Sequence, residues 1–179
     1  MVIKQNSHQK TIHSQVLKEN RKVQVHLPPG YEDTDQKYPV LLLLDGGDVK
    51  TFSGDKTLYF RTEELLDRGL IPGDGIILVG VANKNRSRDM IPIKSAYHIQ
   101  SGGAEKFLLF ITTELIPWIN KNYRTTEQLI IYGQSDAGLF VIYTLLKNPE
   151  PFYGFMCVSP TIGVCKDFIY SLARNFKPE

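Results

Sequence analysis

Apolar and polar residues follow two different rhythms along this chain. Between residues 10 and 28 they alternate, and the pattern predicts two strands, 10–18 and 21–28, around a turn at Glu19-Asn20. In the second strand Val23, Val25 and Leu27 alternate with Lys22, Gln24 and His26, as in a half-exposed antiparallel strand with His26 facing outward. Pro28-Pro29-Gly30 ends it, and a polar loop follows to Lys37. Then the rhythm changes. Tyr38-Pro-Val-Leu-Leu-Leu-Leu44 and residues 75–82, GIILVGVA, are wholly apolar runs, as in strands covered on both faces. Residues 56–69 suit a helix closed by Gly69 and Pro72, and residues 83–103 read as a polar loop. Ala104, Phe107, Leu108, Ile111, Leu115, Trp118 and Ile119 recur at three- and four-residue steps, which predicts a helix from Ala104 to Asn122. Pro117 should kink that helix or mark its last turns. Leu129–Tyr132 reads as a short buried strand, Asp136–Lys147 as a helix stopped by Asn148-Pro149, Gly154–Val158 as a strand and Lys166–Asn175 as a final helix.

This order predicts an α/β fold in one domain over residues 1–179. Antiparallel strands at 10–28 precede a parallel core at 38–160, with helices on both faces of a mostly parallel sheet. No repeat, linker or low-complexity segment interrupts it.

Composition alters this picture little. Hydrophobic residues are 42 % and charged residues 22 % of the chain, ordinary for a globular protein with a real core. A formal charge of +2 gives no electrostatic case for a nucleic-acid partner or an acidic membrane surface. The nearest approach to a basic cluster, Lys84 to Arg88, reads as a solvated loop. Two cysteines, Cys157 and Cys165, make no disulfide framework, and Cys157, within an apolar run, reads as a small buried hydrophobe. No metal or cofactor is implied. The polar N-terminus lacks the apolar stretch of a signal peptide, and the longest aliphatic run, Val40 to Leu44, is too short to span a bilayer. A cytoplasmic protein is expected.

The chemistry is concentrated at Leu129-Ile-Ile-Tyr-Gly133-Gln-Ser135-Asp136-Ala137-Gly138. A buried strand, a small-x-Ser-x-small turn and a helix form a nucleophile elbow, in which a strained turn exposes the serine hydroxyl. Residues two before and two after the serine must be small, and Gly133 and Ala137 meet that demand. Gly138 lets the start of the helix pack close to the sheet. Ser135 is the candidate nucleophile, placed where helix N–H groups favour negative charge. An oxyanion hole uses two preorganised N–H donors. The amide of Asp136 is the first candidate, and Gly47, in the Asp45-Gly46-Gly47 turn after the first apolar run, is the second.

These segments together resemble the esterase family of α/β-hydrolases that groups enterochelin esterases, S-formylglutathione hydrolase (esterase D), feruloyl esterases and mycolyltransferases. Residues 25–31 (VHLPPGY), 38–46 (YPVLLLLDG), 103–123 with Glu114-Leu-Ile-Pro117, the elbow at 133–138, and 155–160 ending in Ser-Pro carry the resemblance. It implies a three-layer α/β/α sandwich and a serine carboxylic-ester hydrolase acting on a small-molecule ester, with Ser135 as nucleophile and Gly47 and Asp136 as oxyanion donors. It also implies that residues 85–90 border the site, so that Arg88 is a possible substrate contact.

In such hydrolases the acid and the histidine follow the serine. Here His8, His13, His26 and His98 all precede Ser135, and the chain ends at Glu179, so the fold reads as truncated on its C-terminal side. A serine without a base is a poor nucleophile. His98, in a loop after a parallel strand, is a candidate substitute. Three readings stay open: an esterase, an acyltransferase of the same family, and a catalytically incomplete binding or assembly module. The Gly154–Val158 strand would lie at an uncovered sheet edge, which predicts a homo-oligomer formed through that edge.

Overall fold

The computed structural model describes residues 6–46, 58–68, 75–96 and 98–177. Six strands form one sheet: β1 (Ser7–Ser14), β2 (Glu19–His26), β3 (Tyr38–Leu44), β4 (Ile77–Val81), β5 (Thr125–Gln134) and β6 (Gly154–Val158), in the order β1-β2-β4-β3-β5-β6. β1 and β2 are antiparallel, β2 joins β4 antiparallel, and β4, β3, β5 and β6 run parallel. The helices are α1 (Leu58–Asp67), α2 (Arg86–Met90), α3 (Ala104–Phe110), α4 (Ile116–Asn122), α5 (Asp136–Lys147) and α6 (Lys166–Asn175).

The apolar runs of β3 and β4 divide their side chains between two faces, as alternation along a strand dictates. Leu42, Leu44, Val79 and Val81, with Ile131 of β5, pack with Phe107, Phe110, Leu139 and Ile169 from α3, α5 and α6. On the opposite face Leu43 and Leu78 pack with Tyr59 of α1. Helices therefore cover both faces, and strands buried twice over leave no polar alternation to read.

Several elements depart from the sequence expectation. The first turn lies at residues 15–18, not at Glu19-Asn20, which pair with Ser14 and His13 in the ladder. Tertiary contacts hold it there: the Glu114 carboxylate accepts hydrogen bonds from the amides of Gln15 and Val16 at 2.9 and 3.0 Å, and Lys18 takes a left-handed φ of 55°. His26 is buried rather than outward, because α1 reaches that end of β2. Its Nδ1 lies 2.9 Å from Ser7 Oγ and 3.4 Å from the Glu63 carboxylate of α1. The expected strand at 129–132 extends to Thr125–Gln134, its polar first half pairing through Thr125 with Tyr38. The helix over 104–122 is continuous, but a π turn at Ile111–Leu115 precedes Pro117. Such a turn is one way a helix accommodates a residue that has no N–H and crowds the preceding carbonyls.

Residues 83–103 are not all loop. Asn85 caps α2 by accepting a hydrogen bond from the Arg88 amide at 3.0 Å. The basic stretch Lys84 to Arg88 is accordingly ion-paired rather than simply solvated. Arg88 meets Glu19 at 2.6 Å and Asp89 at 2.8 Å, while buried Arg21 meets Glu19 and Asp89 at 2.7 Å each. Arg21 also donates to Ala82 O and lies over the Phe107 ring. This cluster rivets α2 to β2 and β4.

β6 lies at the sheet edge. Parallel register puts Met156 beside Tyr132 and Val158 beside Gln134, on the face that carries α1, and they are 49 % and 38 % exposed. Cys157, expected to be buried, is exposed for the same reason, whereas Cys165 is buried.

Removing one partner of a buried pair orphans the other. Arg21→Met is therefore expected to lower unfolding free energy by about 3–5 kcal/mol, read by urea denaturation; a loss below about 1 kcal/mol would contradict the rivet. Burial, the largest influence on Glu19, pushes its pKa up, but the Arg88 hydrogen bond and the charges of Arg21, Arg88 and Lys84 outweigh it and hold it below the ordinary 4.5. Its folded value being depressed, this contribution is full above the unfolded value and disappears as pH falls through the folded one.

Candidate active site

Three of the four non-glycine residues with positive φ among those described directly follow parallel strands: Asp45 (59°) after β3, Ser135 (61°) after β5 and Ser159 (44°) after β6. Side-chain-bearing residues in this region carry strain, and strain concentrated at one edge of a sheet marks a site. The sheet order shows why this edge matters. The chain steps from β3 to β4 on one side and returns past β3 to β5 on the other, and ligands in open α/β sheets bind at such reversals, beyond the carboxyl ends of the strands.

Ser135 joins β5 to α5 with φ 61° and ψ −120° and is half-buried. Its N–H donates to Val158 O at 3.0 Å, and its carbonyl accepts from Leu139 N at 2.9 Å and Thr161 N at 3.2 Å, so backbone bonds on both sides fix the turn. The turn is too tight for a side chain at Gly133, where a Cβ would stand 2.3 Å from Ala137 O. Ala137 is fully buried. At Gly138 a Cβ would come to 3.0 Å from Val158 O, which fits close packing of α5 on β6. Asp136 opens α5, and its amide belongs to the first turn, where N–H groups lack intrahelical partners.

The turn after β3 is equally close-packed. Gly46 N–H donates to Val81 O at 3.1 Å, and a Cβ on Gly46 would lie 2.2 Å from the Gly80 Cα. Gly47, the expected second oxyanion donor, lies outside the described residues.

Side chains stitch these strand ends together. Arg86 Nε and Nη2 bind the Asp45 carboxylate at 3.0–3.1 Å, Nη1 binds Asp136 Oδ2 at 2.6 Å, and Nη2 also donates to Gln134 O at 3.1 Å. Thr161 Oγ1 donates to Asp136 Oδ1 at 2.5 Å, and Asn83 Nδ2 donates to Asp45. Burial, the largest influence on Arg86, opposes its charge. The hydrogen bonds and charges of Asp45 and Asp136 outweigh burial and raise its pKa above the ordinary arginine value, so it is a permanent cation.

Arg88, the possible substrate contact, is tied to Glu19 and Asp89. Two residues apart on a helix, Arg86 and Arg88 point to nearly opposite sides, and it is Arg86 that reaches the elbow. The cap signal of Asn85 was the clue in the sequence to this short helix. The four histidines are bonded elsewhere: His8 to Tyr123, His13 to Asn20, His26 to Ser7, and His98 to Ser87. Among the described residues no group of three or more His, Cys, Asp or Glu could hold a metal ion, and no helix is long and apolar enough to cross a membrane.

The family model described as "Putative esterase" matches residues 14–177. The chain belongs to this esterase family. It is 30 % identical to the ferri-bacillibactin esterase BesA of Bacillus subtilis (strain 168), a match covering 78 % of this chain and 53 % of that protein. It is 25 % identical to the siderophore triacetylfusarinine C esterase of Aspergillus fumigatus, over 78 % of this chain and 51 % of that one. A crystal structure of an IroE-like serine hydrolase from Shewanella oneidensis superposes with a TM-score of 0.83 at 27 % identity, covering 94 % of this chain and 55 % of its own. The fold is thus that of the α/β-hydrolases, and the chain spans about half the length of the curated esterases it matches.

The strain at Ser135 has a measurable signature. Glycine relieves a positive φ and alanine does not, so Ser135→Gly should be more stable than Ser135→Ala by about 1 kcal/mol in thermal or urea unfolding. Equal stabilities would mean the turn is relaxed.

Proposed function

We propose that this chain carries the nucleophile of a carboxylic ester hydrolase and that Ser135 is that nucleophile. The observation that carries the reading is the Ser135 backbone: φ 61°, ψ −120°, between β5 and α5, with no room for a Cβ at Gly133. The esterase family provides the chemistry that would use a strained serine at that corner. Ser135 Oγ attacks the acyl carbon. The negative charge that gathers on the carbonyl oxygen is met by the Asp136 amide and, in this reading, by the Gly47 amide. The Oγ–acyl bond forms as the alcohol departs with a proton, and water then releases the acid. Two curated relatives are named as esterases of siderophores, and a siderophore-type ester is the substrate class we assign.

The hydrogen bonds of the four histidines run from His8 to Tyr123, His13 to Asn20, His26 to Ser7 and His98 to Ser87, and none of these bonds is to Ser135. The open β6 edge supports association: among the described residues no strand pairs with its outer edge, and Met156, Cys157 and Val158 are exposed. A second copy docked there would cover this surface.

A fluorophosphonate should label the chain covalently at Ser135, and Ser135→Ala should abolish both labelling and hydrolysis of p-nitrophenyl and siderophore-type esters. An unlabelled chain without turnover would leave a binding or assembly module instead. Light scattering should give a mass above the monomer, reduced to the monomer by Met156→Lys with Val158→Lys; a monomeric parent chain would remove the association proposal.

A further inference from the structure

Among the described residues Arg86 is the one cation in direct contact with both the turn after β3 and the elbow after β5. All but one of its N–H groups are committed: Nε and one Nη2 group to Asp45, one Nη1 group to Asp136, and the other Nη2 group to the carbonyl of Gln134, the residue before the serine. A guanidinium so occupied has little left to offer a ligand. Its planar fork fixes distance and angle together, which a flexible ammonium does not do.

The neighbouring bonds extend the same unit. Asp136 is gripped on its other oxygen by Thr161, in the turn after β6, and Asp45 by Asn83, just beyond β4. The Ser135 carbonyl accepts from the Thr161 amide, so backbone and side chain tie the elbow to the same residue. One connected set of hydrogen bonds thus spans the ends of β4, β3, β5 and β6. Two of the residues it holds are Asp45, in the turn after β3, and Asp136, whose amide is the first oxyanion candidate. Without Arg86 both carboxylates would lose the cation they share.

We propose that Arg86 is a positioning residue that locks the turn after β3 to the elbow after β5, holding Asp45 and Asp136 at a fixed separation and balancing their charge. The catalytic consequence of the clamp rests on the esterase reading above; the clamp does not.

The two separate in one set of variants of the full 179-residue chain. Native-state amide hydrogen exchange at Gly46, Ser135 and Thr161, whose N–H groups are hydrogen-bonded at the three turns, reads the clamp. Arg86→Gln should speed exchange at these amides about tenfold, the equivalent of roughly one lost hydrogen-bonded contact, and leave Val79 in the middle of β4 unchanged. Arg86→Lys, which keeps the charge and loses the fork, should give the same local pattern. Asp45→Asn, which weakens one arm only, should loosen Gly46 more than Ser135 and serves if the Arg86 variants do not fold. Unchanged exchange at the turns, or a uniform rise that includes Val79, overturns the clamp. Fluorophosphonate inactivation reads the consequence. The limiting rate constant should fall about a hundredfold in Arg86→Gln with the half-saturating concentration unchanged, the size of effect seen when one oxyanion donor is displaced. A rise in half-saturating concentration alone would make Arg86 a ligand contact and overturn the positioning role. If the parent chain takes no label, the esterase reading fails while the exchange pattern still decides the clamp.

Discussion

Burial of β3 and β4 on both faces is the constraint on which the rest of this molecule depends. Side chains that alternate between the α3–α5 layer and the α1 layer cannot slip by one residue without exchanging the two cores, so the register is fixed. Fixed register brings the carboxyl ends of neighbouring strands level. The chain must then leave each strand within one or two residues, and it does so through positive φ at Asp45, Ser135 and Ser159. The strain at this edge is held by the surrounding backbone bonds and by close approaches that tolerate no side chain, at Gly46 and Gly133.

Electrostatics complete what packing begins. Two arginines of one short helix do separate work. Arg88, with Arg21, Glu19 and Asp89, rivets the helix to the antiparallel side of the sheet. Arg86 reaches the other way, to Asp45 and Asp136. The helix is too short to be stable by itself, and its place is set by these ion pairs and the Asn85 cap rather than by propensity. A chain of polar contacts therefore runs from β2, through α2, to the elbow, and this is the route by which the outer strands and the candidate site share one geometry.

The sheet is unevenly covered. Its centre is buried twice, while β6 keeps one strand edge and one apolar face open, with Met156 and Val158 exposed.

The sequence alone determined the alternation of strands and helices after residue 38, the position of the elbow and the ends of the last three elements, 136–147, 154–158 and 166–175, because those signals are local: apolar runs, helix periodicity, a small-x-Ser-x-small turn and Asn148-Pro149. It gave no means to place the first turn, which a carboxylate 99 residues away holds at Gln15. Nor could it show that His26 is buried, since an alternating strand does not tell where a distant helix, here α1, will reach it. Cys157 is the converse, an apolar run left uncovered at the edge. The choice between Arg86 and Arg88 also belonged to the tertiary structure. Both lie in one polar stretch, and only the ends of β3 and β5, brought together by a crossover, decide which guanidinium finds two carboxylates. Local chemistry fixes what a segment can become; the partners that select its face come from distant parts of the chain, and only folding brings them into range.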